Sequence, residues 1–73
     1  MRIRVNVDEA LRAYAPGGFK VVEGDTFTIL EAALAAGIPQ ERIGWLLQTG
    51  VRMEPDIELA DGAEIKVLPA REA

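Results

Sequence analysis

Thr28-Ile29-Leu30-Glu31-Ala32-Ala33-Leu34-Ala35-Ala36-Gly37 is the stretch from which the fold of this chain can be read. Thr28 followed three residues later by Glu31 is a capping-box pattern, in which hydroxyl and carboxylate each satisfy an orphan backbone N–H at a helix start. Ala, Leu and Glu are strong helix formers, so a helix is predicted to about Ala36, with Gly37 able to take a left-handed stop at little cost. Thr26 is a competing cap, which leaves the start open by a turn. Leu30, Ala33, Leu34 and Gly37 recur at helical spacing and define the expected packing face, narrow and small enough in side chain to lie close against a sheet.

On either side of this helix the pattern changes to period two. Ile3, Val5 and Val7 alternate with Arg2, Arg4 and Asn6, the signature of a strand with one buried side. Asp8 to Ala15 has a brief helical character, broken by Pro16-Gly17-Gly18. A second strand, Phe19 to Glu23, carries the β-branched pair Val21-Val22 and ends at Gly24-Asp25. The connection is too long for a tight hairpin and short enough for an antiparallel return. After the helix, Ile38-Pro39 leads to a strand over Ile43 to Gln48, and Thr49-Gly50 closes a turn. Asn-Gly is the preferred pair there and Thr tolerates positive φ poorly, so the turn type stays open. Val51-Arg52-Met53 reads as a short return strand ended by Pro55. An acidic loop, Glu54 to Asp61, crosses to the Asp61-Gly62 turn and a last strand, Glu64 to Leu68.

Composition narrows the functions available. The chain of 73 residues reads as one domain, 1–73, with 49% hydrophobic and 27% charged residues, as in a globular protein. It has no Cys and no His, which removes disulfides, thiolate metal sites, thiol nucleophiles and imidazole bases. No enzymatic activity and no cofactor are expected. The net charge of −4, with basic residues scattered along the chain, offers no stripe to follow a phosphate backbone, so nucleic acid is not an expected partner. The longest apolar run, Ala32 to Ile38, falls far short of the roughly 20 residues a membrane helix needs, and no signal-peptide pattern opens the chain. The expectation is a cytoplasmic protein that does not enter membranes.

Strand, strand, helix, strand, short strand, strand predicts an α+β domain of the β-grasp type, a mixed four- to five-stranded sheet with one main helix across one face. Particular segments carry a resemblance with the same implication. Ile38-Pro39, Ile43-Gly44-Trp45-Leu46-Leu47-Gln48-Thr49-Gly50, Leu59-Ala60-Asp61-Gly62-Ala63-Glu64-Ile65-Lys66-Val67-Leu68-Pro69, and Leu11-Arg12-Ala13-Tyr14-Ala15 after the first strand resemble the ubiquitin-like sulfur carriers. That family includes the small subunit of molybdopterin synthase and the thiamine-pathway carrier. Its members end in Gly-Gly, whose carboxylate is adenylated and converted to a thiocarboxylate; the sequence here ends Glu72-Ala73 and also departs at Asp8, where an apolar residue is common. Glycine's missing Cβ is what lets such a tail approach an activating enzyme closely. The resemblance therefore implies a binding subunit or modulator that meets a larger protein through the open sheet face and the tail. The alternative is a genuine carrier for molybdopterin or thiamine biosynthesis whose Gly-Gly is absent from this chain. Leu30-Glu31-Ala32-Ala33 with Ala36-Gly37-Ile38 is similar to the helix of plant-type ferredoxins, another β-grasp group, but without Cys no iron–sulfur cluster can form.

Three groups of residues are candidates for function. In the tail, Arg71 and Glu72 either dock a partner or form a solvated end. In the third strand Trp45 and Leu47 point to one side and Leu46 to the other; the helix covers one face only, so a large apolar side chain is left over. The resemblance places Trp45 or Leu47 with Leu68 and Pro69 on the partner-facing surface. Because a one-residue slip exchanges the two faces, Trp45 is equally readable as core. The acidic group Glu54, Asp56, Glu58, Asp61 and Glu64 has the look of a calcium loop, yet a loop begun at Asp56 puts Ala60 at the fifth position and lacks the closing Glu, so it reads as a solvated face.

Overall fold

Alternation of apolar and charged side chains makes β1 (Arg2–Val7), whose Ile3, Val5 and Val7 are buried while Arg2 and Arg4 are exposed. The computed structural model describes residues 1–70, and the remaining strands are β2 (Phe19–Glu23), β3 (Ile43–Gln48), β4 (Val51–Arg52) and β5 (Glu64–Pro69), with one α-helix, α1 (Ile29–Ala35). The five strands form one mixed sheet in the order β2-β1-β5-β3-β4. β1 and β5, the first and last strands, lie parallel at its centre, and every other pair is antiparallel. The described residues are thus α+β, with a five-stranded mixed sheet and a single α-helix.

The predicted cap is formed: Thr28 N donates to Glu31 Oε1 at 2.8 Å and Glu31 N donates to Thr28 Oγ1 at 3.1 Å. Thr28, rather than Thr26, therefore sets the start. Two further donors of the first turn, Ile29 N and Leu30 N, bond the carbonyl oxygens of Ile57 and Pro55, so the acidic loop is tied by its backbone to the helix end that needs acceptors. At the other end Gly37, φ 91°, closes a Schellman arrangement, with Gly37 N on Leu34 O and Ile38 N on Ala33 O. Lys20 Nζ adds a bond of 3.0 Å to Ala36 O.

The packing face of α1 differs from the one its spacing suggested. Ile29, Ala32, Ala33 and Ala36 are buried, Leu30 is half-buried, Gly37 is exposed, and Leu34 is 40% exposed. A stripe of alanines lets the helix sit close on the sheet, and the larger leucines are turned to its flank. The helical character of residues 8–15 reduces to one 3₁₀ turn, Glu9–Leu11, capped by Asp8, whose carboxylate accepts from Ala10 N at 3.2 Å. That turn drops Leu11 into the core, and Ala15 follows it. Leu59 from the acidic loop and Ile38 close the remaining sides of a core built around Ile3, Val5, Ile65 and Val67.

Thr49-Gly50 forms a two-residue hairpin between Gln48 and Val51, which pair across it. Thr49 has φ 50° and Gly50 φ 77°, the primed turn with positive φ at both central residues. The turn type left open by the sequence is the one that Asn-Gly would have signalled.

Candidate surface of the open sheet face

The pairing of Leu46 with Val67 fixes which way β3 faces. Leu46 turns to the helix side and is 6% exposed, which puts Trp45 and Leu47 on the opposite face, where no helix lies among the described residues. Trp45 is 51% exposed, so the reading of this residue as core is excluded. Its register partner on β5 is Leu68, half-buried beside it, and Leu47 stands opposite Lys66 on β5 and Arg52 on β4. The structure therefore brings Trp45, Leu47, Leu68 and Pro69 together at the β3–β5 end of one face. Arg71 lies outside the described residues.

Gly44 is what allows Trp45 to sit there. The β3–β5 ladder shifts register between Ile43 and Trp45, and at this irregularity the backbones of Gly44 and Pro69 meet closely. A Cβ at Gly44 would fall 2.3 Å from Pro69 O, so no other residue fits without parting the strands. Beyond it the chain stays held, with Ala70 N on Arg42 O at 2.9 Å. A shallow groove, lined by Asp8, Gly44, Trp45, Leu68, Pro69 and Ala70, follows this end of the strand. The Arg52 guanidinium lies over the Trp45 ring at 4.7 Å from its centroid, leaving part of the indole to solvent.

The rest of the face is mixed. Arg4 caps the Phe19 ring at 4.0 Å and lies 3.8 Å from Glu64, and Arg2 pairs with Glu23 at 3.0 Å. Asn6 Nδ2 donates to Glu64 Oε2 at 2.7 Å. Phe19 and Val21 are exposed on β2, two apolar positions that sequence reading did not single out. The signal was present, since Val22 buried on a period-two strand requires Val21 to face outward. Among the described residues no polar or charged side chain is buried, and no three acidic side chains lie close enough to share a metal ion. What this surface offers a ligand is apolar contact with a charged rim, not a cleft of convergent groups.

No protein-family model matches the sequence, and no curated protein or solved structure matches it. Among the described residues no helix is long and apolar enough to cross a membrane.

Proposed function

We propose that this chain is a β-grasp protein of the sulfur-carrier type that works as a non-enzymatic binding module, meeting a larger protein through the uncovered face of its sheet. The strand order β2-β1-β5-β3-β4, with the first and last strands parallel at the centre and one helix across one side, supports the fold assignment. The observation that carries the functional reading is the exposed Trp45 set against Leu68 and Leu47 on the face without a helix. An indole half out of water on a rigid strand is a costly surface to maintain in a protein this small, and tryptophan is among the residues most enriched at interface hot spots. Covering such a side chain is worth about 1.5–3 kcal/mol. The partner's counterpart is an apolar pocket with acidic groups at its rim, to meet Arg52 and Lys66.

Trp45 is the sole tryptophan, so its emission reports this surface directly. Titration of the protein with the carrier-activating enzyme and the large molybdopterin synthase subunit of the same organism should shift Trp45 emission to the blue and protect it from acrylamide quenching with at least one of them. Leu68→Glu should weaken that binding tenfold or more, at unchanged fold by circular dichroism. If neither protein alters Trp45 up to about 100 µM, a level at which even weak specific complexes form, the reading is wrong.

A further inference from the structure

We propose that two copies of this protein pair through the free edge of β2, antiparallel about a two-fold axis at Val21, to make one continuous ten-stranded sheet. The proposal stands on a different part of the molecule from Trp45 and does not depend on the reading of that face.

Hydrogen bonds close the β1–β2 ladder at both ends, between Met1 and Gly24 and between Val7 and Gly18. Antiparallel ladders alternate hydrogen-bonded and non-bonded pairs, so Ile3–Val22 and Val5–Lys20 are the bonded pairs between them. The N–H and C=O groups of Phe19, Val21 and Glu23 then point away from β1, and among the described residues no backbone bond reaches them. This is an unbroken template five residues long.

Edge strands are normally protected by brevity, proline, bulges or a lysine projecting into the path of an incoming strand. The other edge of this sheet has such protection: β4 is two residues long and Pro55 follows it closely. β2 has none. Its lysine, Lys20, is turned to the helix side and held on Ala36 O.

The edge is complementary to itself. A two-fold at Val21 sets Phe19 opposite the second copy's Glu23, Val21 opposite Val21, and Glu23 opposite Phe19, with all three outward-bonding residues used on each chain. About six backbone hydrogen bonds form. On the open face Phe19, 41% exposed, and Val21, 45% exposed, join their copies in one apolar strip. Charge follows the same register: Arg4 lies over the Phe19 ring at 4.0 Å, so Glu23 of the second copy, arriving opposite Phe19, meets a guanidinium. Registers shifted by two residues in either direction lose one of these pairings, and neither sets Glu23 opposite Phe19, whose ring Arg4 covers.

A five-residue edge is a small contact, so the dimer is a weak one, with a dissociation constant on the order of 0.1–1 mM. Sedimentation equilibrium and amide NMR spectra of the whole chain, followed from about 20 µM to about 2 mM, bracket that range. The expected result is a monomer–dimer equilibrium with concentration-dependent shifts at the amides of Phe19, Val21 and Glu23. Val21→Pro removes an outward N–H and no bond to β1, a place where an edge strand tolerates proline, and should weaken dimerisation at least tenfold. Glu23→Arg, which brings like charge to Arg4 and breaks only an exposed ion pair within the chain, should weaken it about as much while the protein stays folded. A protein that is monomeric at about 2 mM overturns the proposal. So does a dimer that Glu23→Arg leaves untouched, or one whose shifts gather at Trp45 and Leu68.

Discussion

Thr49 is the residue at which local preference and fold disagree. A β-branched side chain at φ 50° crowds its own backbone, and Thr49 is the one non-glycine residue with positive φ among those described. Its hydroxyl donates to Gln48 O at 2.7 Å, which offsets part of the strain. The primed turn is kept because it matches the twist of the strands it joins. Thr49→Asn should stabilise the protein by about 0.5–1 kcal/mol, since asparagine enters the left-handed region more easily than threonine. Urea unfolding measures it; an unchanged or lower midpoint would show that the turn is not strained. Trp45 shows the limit of reading at this scale. The alternation Trp45-Leu46-Leu47 was legible as two faces, but which face met the helix depended on the pairing of Leu46 with Val67, about twenty residues away, and no local pattern contains that information.

Elements were more legible than the faces they bury. The capping box, the Gly37 stop and the strand boundaries are set by neighbours within four residues, and each appears in the structure where its chemistry places it. The differences are single residues: β5 runs one further than expected, to Pro69, β4 stops at Arg52 rather than Met53, and α1 ends at Ala35 with Ala36 as its cap. The buried side of α1 is decided instead by how near the sheet lies. Of the face expected from spacing, Leu30, Ala33, Leu34 and Gly37, close approach kept Ala33 buried, added Ile29, Ala32 and Ala36, and left Leu34 at 40% exposure. Seven residues are too few for a helix to persist alone, so α1 exists by virtue of its cap and this contact. Ala33→Leu, which adds bulk where α1 meets the sheet, should destabilise the protein by about 1–3 kcal/mol. Leu34→Ala, on the flank, should cost well under half of that. Equal effects in thermal melts would place the packing face where the spacing alone suggested.

At the scale of the molecule the central pair β1 and β5 joins the two ends of the described chain, and everything else leans on it. β2 has no other neighbour in the sheet, β4 is held by β3 alone, and α1 and Leu11 pack on residues that β1 and β5 present together. No part has a core of its own, and so small a chain buries too little surface to spare any of it. Unfolding is therefore expected as a single transition. Trp45 tests this without a label, because it is the sole tryptophan and sits on β3, while far-UV circular dichroism reports β1, β5 and α1 with the rest. The two signals should give one urea midpoint. Trp45 emission should begin near the wavelength of an exposed indole and shift only slightly on unfolding, since half its surface is already in water. Leu46→Ala, next in sequence and buried on the helix side, should lower both midpoints together, at a cost of about 2–5 kcal/mol. A fluorescence transition that precedes the dichroism change would mean that β3 and β4 detach first, and the sheet would then be two cooperative units in place of one.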